Sequence, residues 1–179
     1  MSYYPGTDPV LRMIGTYTPG VSRAAIAGLY SSPSSAAWES AARAVYYCLR
    51  VPSCVVRRVW WANGATTSGA TVEVGLYADN GHRPGVNLVS GSAAQGTAST
   101  VQFVDVTDTG LAGGVVWIAM MMSSATNTTA FRSAAAATYV DVTYRLEQAS
   151  ANPLPSTATP VESSASSIWL CGFATTASP

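Results

Sequence analysis

The sequence predicts an all-β chain, a jelly-roll β-sandwich preceded by an extended N-terminal arm. Three observations lead there. From Ala44 onward, about eight short β-rich runs are separated by Gly, Pro, Asn and Ser turn signals, the spacing of sandwiches and barrels. Several runs alternate apolar and polar residues with period two, as strands with one face in a core do. A proline- and serine-rich stretch near the C-terminus is followed by one last apolar run, Ile168 to Phe173. A late return of that kind closes Greek-key and jelly-roll sandwiches beside an early strand.

Composition narrows the function classes. At 179 residues the chain suits one domain with room for an arm. Charged residues make up only 10%, against roughly a quarter in an average globular domain. The nine basic residues are all arginine, and the net charge is zero. A surface of Ala, Ser, Thr and Gly with so few charges suits contact with other protein. High genomic GC content is the alternative account, but it does not require charges of both signs to be scarce. Scattered arginines argue against nucleic acid, whose phosphates need clustered positive charge. No apolar run approaches the roughly 18–20 residues that span a membrane. The start, MSYYPGTDP, has neither a basic region nor an apolar segment, so no signal peptide is read and folding in a cytoplasm is expected. Cys48, Cys54 and Cys171 are odd in number and lack metal-site spacing. They read as small buried apolar residues.

The elements follow in order. Residues 1–43 are punctuated by Pro5-Gly6, Asp8-Pro9, Pro19-Gly20 and Ser32-Pro33. The short apolar pieces between them, Val10–Ile14 and Ala24–Tyr30, cannot be stable alone. Their aromatic and aliphatic content (Tyr3, Tyr4, Leu11, Ile14, Tyr17, Leu29, Tyr30) is too high for ordinary disorder and favours a docking arm over a flexible leader. Residues 44–179 form the body. Ala44–Val51 and Val55–Ala62 are strands joined at Pro52-Ser53. Were they a tight hairpin, Cys48 and Cys54 would face each other and a disulfide would be possible, although cytoplasmic folding disfavours one.

Thr71–Gly85, TVEVGLYADNGHRPG, organises the body. Val72, Val74 and Leu76 point one way, Glu73 and Gly75 the other, and the run ends in Asn-Gly and Pro-Gly turn chemistry. So polar an ending reads as a sheet edge. Asn87–Ser90 is a short strand, and residues 91–99 are a loop. Thr100–Thr107 is the next strand. Val115–Met122, apolar on both faces, reads as a central strand covered on each side. Residues 123–137 form a small-residue loop, with a helical turn at Ala134–Ala137. Tyr139–Glu147 puts Val140, Val142, Tyr144 and Leu146 inward and Asp141, Thr143, Arg145 and Glu147 outward. Residues 150–167 run over the surface.

These residues carry a resemblance. Val55–Val59, a Gly-rich turn, Val72–Tyr77, Asp79-Asn80-Gly81 and Arg83-Pro84-Gly85 resemble a jelly-roll module of tailed-bacteriophage virion proteins. There a strand of the form R-x-G-I-Y leads into D-x-x-G-x-P-G, a short L-V strand and a later L-x-x-G-x-Y-W-L-A strand. Leu111–Ala119 stands for the last, and Pro153-Leu154-Pro155 before the closing strand also fits. The resemblance covers about Ala44 to Phe173. Glu73 replaces a usual basic residue, and Val116 replaces the Tyr before Trp117. Such modules occur in head decoration proteins, head fibres, tail fibres and minor tail proteins. The resemblance therefore implies a virion structural protein made in a host bacterial cytoplasm, with other virion proteins as partners. It also implies a homo-oligomer, with a trimer favoured. It leaves the position on the particle open.

Chemistry is sparse. His82 is the one histidine, and with Asp79 it makes half of a hydrolase dyad. No G-x-S-x-G motif or carboxylate cluster accompanies the pair, so no enzyme and no cofactor are expected. Asp105 and Asp108 near Gly110 are the one candidate for a loop calcium, without EF-hand or RTX spacing. Consecutive Trp60 and Trp61 must point to opposite faces of their strand, so one faces outward. It would meet a partner subunit or, in the alternative reading as a tail-fibre adhesin module, stack on a host surface glycan.

Overall fold

The computed structural model describes residues 23–25, 34–134, 145–163 and 167–175. The arm residues Tyr3, Tyr4, Leu11, Ile14, Tyr17, Leu29 and Tyr30 lie outside them. So do residues 135–144, with most of the expected 139–147 strand and the expected turn beyond Ala134. The described strands are β1 (Arg23–Ala25), β2 (Ser34–Ala37), β3 (Arg43–Val51), β4 (Cys54–Ala62), β5 (Thr71–Asp79), β6 (Pro84–Ala94) and β7 (Val101–Leu111). β8 (Gly114–Met122), β9 (Thr129–Ala134), β10 (Arg145–Gln148), β11 (Val161–Glu162), β12 (Ser167–Trp169) and β13 (Cys171–Ala174) follow. No helix occurs among the described residues. The chain is all-β.

The strands form antiparallel sheets of six (β11-β10-β3-β8-β5-β6), four (β1-β13-β4-β7) and three (β12-β9-β2). The two larger sheets share one core, an arrangement compatible with a β-sandwich. Val45, Tyr47, Val74, Leu76, Ile118 and Met120 enter it from the six-stranded sheet, and Val56, Val59, Trp61 and Phe173 from the four-stranded one. The small sheet and its flanks add Trp38, Ala130, Ile168 and Trp169. Trp38 and Trp169 pack with ring centroids 4.7 Å apart. Gly91 marks a tight approach between layers: a Cβ there would lie 2.8 Å from Val106 and 2.9 Å from Val59.

β8 accounts for the most apolar run. Period two sends Val116, Ile118, Met120 and Met122 into the shared core, and Trp117, Ala119 and Met121 into a second cluster on the outer face of the six-stranded sheet. The strand lies between β3 and β5, so it is central and covered on both sides, as its composition requires.

A strap covers that outer face. After β10 the chain crosses toward β6, where Thr157 bridges Val86 and the Asn87 amide donates to Ser156 O at 2.8 Å. It then returns, and the Thr159 amide reaches Gln148 Oε1 at 2.8 Å. Ala151, Leu154 and Ala158 are the strap's buried contacts with Tyr46, Tyr77, Trp117 and Met121. Gly75 makes room for it, because a Cβ there would come within 3.0 Å of Leu154 Cδ1.

Several expectations need correction. β3 and β4 are not a hairpin. Both edges of β3 are occupied, by β8 and β10, so Pro52 and Ser53 carry the chain to the other sheet. Cys48 packs on the outer cluster and Cys54 on the inner core, on opposite faces, and all three cysteines are free. β5 is not at an edge, since β6 and β8 flank it. β6 and β7 extend through Ala94 and Leu111, beyond the strands expected there. Within the expected loop 123–137, residues 129–134 are β9, paired with β2 and β12. The last apolar run is two strands, β12 and β13, in different sheets; β13 does lie beside β4, an early strand. Residues 34–43 belong to the body rather than to a separate arm. β2 pairs with β9, and Trp38 is 3% exposed in the core.

Candidate functional site

The turn after β5 closes on itself. The Asn80 amide donates to Arg83 O at 2.7 Å, and the His82 amide reaches Asp79 Oδ2 at 3.4 Å. Gly81 and His82 both take left-handed backbone, with φ of 63° and 68°, a conformation glycine adopts freely and histidine tolerates. The other oxygen of Asp79 accepts the Trp117 indole N–H at 2.8 Å. Asp79 thus anchors a buried tryptophan, while His82 is exposed. The two are joined through the histidine's backbone amide rather than as a catalytic dyad.

Under the strap lies a polar and aromatic cluster that the strand pattern did not announce. Tyr46 and Tyr77 meet edge-on, with centroids 5.4 Å apart. The Tyr77 hydroxyl donates to Pro155 O at 2.8 Å, and Tyr46 to Gln148 Oε1 at 3.2 Å. Burial pushes the Tyr77 phenol up to about 12 and raises Tyr46 further. Glu73, 8% exposed, accepts from Ser90 Oγ at 2.9 Å and from the Leu154 amide at 2.8 Å. This carboxylate ties β5 to β6 and to the strap. Glu73 keeps to the alternation, on the face opposite Val72 and Val74, and is buried because the strap covers that face.

A second cluster sits where β10 meets the chain after β2. Arg145 donates from Nη1 to Glu39 Oε1 at 2.9 Å and from Nη2 to Glu39 Oε2, a bidentate fork. Nη2 also reaches Glu147 Oε1 at 2.6 Å, and Arg43 approaches Glu147 Oε2 at 3.0 Å. Ser163 Oγ donates to Glu147 as well. Arg145 was expected to face outward, but its side chain is 0% exposed. Burial works against its charge, and the Glu39 hydrogen bonds with nearby Tyr47 and Glu147 outweigh that and hold it raised. The expected faces are reversed: Leu146 stands beside Tyr46 in the outer cluster, while Arg145 and Glu147 stand beside Tyr47 and Val45 on the shared-core face, where Glu39 meets them. No local signal links Glu39 to Arg145, which are far apart in the chain.

The remaining candidates are placed as follows. Trp61 is 0% exposed in the core and donates to Asn63 Oδ1 at 2.9 Å. Trp60 lies on the opposite face of β4, yet it is only 8% exposed. The expected outward ring therefore exists in direction but is not open to solvent. Asp105 pairs with Arg58, and Asp108 with Arg57 at 3.4 Å. Among the described residues no group of three or more His, Cys, Asp or Glu is placed to hold a metal. Also among them, no helix is long and apolar enough to cross a membrane. Cys171 sits fully buried, which pushes its thiol up to about 12. Burial and the charge of Asp79 push Cys48 up to about 11.

Set together, these groups hold structure. The titratable side chains under the strap and at the Arg145 cluster are committed to partners within the fold. No family model matches the chain, and no curated protein and no solved structure matches it.

Proposed function

We propose that the chain is a non-enzymatic structural protein of a tailed-phage particle. In this reading it is a jelly-roll body displayed on the capsid as a decoration or head-fibre protein, assembled through its N-terminal segment. The observation that carries the reading is where the phage-module motifs fall. Val72–Tyr77 lies on β5, Asp79–Gly85 makes the turn into β6, Leu88-Val89 lies on β6, and Leu111–Ala119 runs from the end of β7 into β8. β5 pairs with both β6 and β8, so motifs far apart in sequence meet in one sheet. The wrapping supports a jelly roll as well. β3 lies beside β8, and the steps β3 to β4, β4 to β5, β6 to β7 and β7 to β8 each cross between sheets.

Charge placement supports assembly. Among the described residues, Arg43, Arg145, Glu39 and Glu147 pair in one cluster, Arg58 with Asp105, and Arg57 with Asp108. The surface is poorer in unpaired charge than the composition alone suggests, which favours contact with other subunits. A symmetric oligomer, with a trimer favoured, fits such modules. The adhesin alternative rested on an outward tryptophan. Every described tryptophan and tyrosine is buried, so no observation favours glycan stacking.

The experiment is mass spectrometry and antibody labelling of purified particles of the phage that encodes the chain. A version lacking residues 1–22 is expressed in parallel. The full chain is expected on particles at symmetric positions, and the truncated body is expected to fold and stay off them. Particles that lack the full chain would sink the virion reading; normal incorporation of the truncation would sink the arm.

A further inference from the structure

Asn-Gly occurs twice in the chain, at Asn63-Gly64 and at Asn80-Gly81. The dipeptide carries a reaction of its own. The backbone nitrogen after the asparagine attacks the side-chain amide carbon, Cγ, and closes a succinimide ring. Glycine favours the approach, because it has no Cβ in the way and its backbone turns freely. One C–N bond forms, the carboxamide C–N bond breaks, and ammonia leaves. Water then opens the ring at either carbonyl and gives aspartate or isoaspartate. The sum is asparagine and water to acid and ammonia, with no oxidant and no second protein. The reaction needs a backbone nitrogen that is at liberty to shed its proton and turn, and a side chain at liberty to meet it. The fold supplies both at one of the two sites and neither at the other.

At Asn63 every group is held. The residue is 0% exposed. Its Oδ1 accepts the Trp61 indole N–H at 2.9 Å, and its Nδ2 donates to Thr97 O at 3.1 Å and to Gln102 Oε1 at 3.0 Å. The Gly64 amide, the would-be nucleophile, donates to Thr129 O at 2.9 Å. A Cβ at Gly64 would lie 2.5 Å from Ser35 Oγ and 2.7 Å from the Thr129 carbonyl carbon, so the backbone there has no room to turn. At Asn80 only the backbone is held, by the amide that donates to Arg83 O at 2.7 Å. Among the described residues, no hydrogen bond engages the Asn80 carboxamide or the Gly81 amide. Both residues are exposed. A Cβ at Gly81 would meet nothing within 4 Å. Gly85 lies alongside, where a Cβ would stand 3.0 Å from Asn80 Cβ and 3.9 Å from its Cγ. Lacking one, it leaves the side chain space to swing.

We propose that Asn80 is a self-modification site: in the folded protein it converts through the Gly81 nitrogen to a succinimide and then to aspartate and isoaspartate, while Asn63 is protected. The Gly81 proton passes to solvent base, and the departing nitrogen takes its proton from water. Each conversion adds one negative charge to a chain whose net charge is zero. The charge arrives beside Asp79, whose carboxylate already accepts the Trp117 indole N–H and the His82 amide. Isoaspartate also adds one backbone atom to a tight turn that the Asn80 amide and Arg83 O close. The turn after β5 therefore records the age of the molecule. The inference holds whether or not the chain belongs to a virion.

The test ages the full chain in mildly alkaline buffer, with a parallel sample unfolded in urea as the clock. Peptide mapping by mass spectrometry follows loss of ammonia at each asparagine, and isoaspartyl methyltransferase labelling follows isoaspartate. In urea, Asn63 and Asn80 should convert at comparable rates. In the folded chain Asn80 should still convert, faster as pH rises because the attacking nitrogen must lose its proton. Asn63 should lag it by at least about tenfold, since its hydrogen bonds must first open. Isoelectric focusing should show an acidic form growing in with time, and Asn80→Gln, whose longer side chain closes a ring poorly, should abolish it. Asn80 intact in the folded chain after the urea sample has converted would overturn the proposal. So would Asn63 converting as fast as Asn80 in the folded chain, or the acidic form growing undiminished in Asn80→Gln.

Discussion

Replacing Arg145 with methionine tests whether the charge cluster is interior. Methionine keeps much of the volume and removes the charge, so two carboxylates lose their shared partner. They are not equally affected. Glu147 keeps Arg43 at 3.0 Å, a residue whose side chain is 37% exposed. Glu39 has its fork with Arg145, and its side chain is 20% exposed although its backbone is open. Breaking a buried pair by removing one partner costs about 3–5 kcal/mol. The partial access of water to Glu39 puts the expectation at the lower end, about 3 kcal/mol. For a chain of this size that corresponds to a fall in Tm of about 6–12 °C. Urea unfolding followed by far-ultraviolet circular dichroism and tryptophan emission measures it. Adding Glu39→Gln and Glu147→Gln to the same chain should recover most of the loss, because no charge is then left buried and unpaired. A loss below about 1 kcal/mol, the range of solvated pairs, would refute the interior cluster. A triple variant no better than the single one would show that the carboxylates are not what the arginine satisfies.

Three more outcomes follow from the packing. Stability should fall as pH rises above about 9, the ordinary thiol value. Up to there the thiols keep their protons in both states; above it the unfolded chain releases them while Cys171, held at about 12, and Cys48, at about 11, do not. Cys171→Ala should flatten that slope in urea melts run from about pH 8 to about pH 11, and an unchanged slope would deny the thiol its part. Leu154→Ala, at a 6% exposed strap position, should cost about 2–5 kcal/mol and release the amides of Leu154 and Ala158 to hydrogen exchange before those of β8; simultaneous release would mean that strap and sheet open as one. Gly91→Ala forces a methyl to 2.8–3.0 Å from valines 106, 59 and 104. It should destabilise by about 1–3 kcal/mol, and a neutral result on denaturant unfolding would mean that the layers are not so close.

The strands were legible because burial imposes period two. Val72, Val74 and Leu76 alternate toward the shared core, and the eight-residue run from Val115 proved two-sided because both of its faces are covered. Pairing was not legible. Pro52-Ser53 is as short as a hairpin turn, yet β8 and β10 already occupy both edges of β3. Which edges are taken depends on strands about seventy to a hundred residues away, and no local pattern carries that. The same limit hid Arg145. Its side chain faces away from Leu146, and register with Tyr47 makes that side the shared-core face, where Glu39 arrives from another segment.

Trp60 and Trp61 show where alternation stops. Period two established that the pair must divide between two faces, and they do: Trp61 joins the core and Trp60 does not. The further step, that a residue turned away from the core is open to a partner, does not follow. The outer face of the six-stranded sheet makes the point independently, because Tyr46, Tyr77 and Trp117 also turn away from the shared core and are buried under the strap. On the six-stranded sheet, outward aromatic side chains mark a surface that another segment of chain covers. The six-stranded sheet draws its cover from residues 149–160. Direction alone therefore does not decide exposure: Trp60 turns away from the core and is still only 8% exposed.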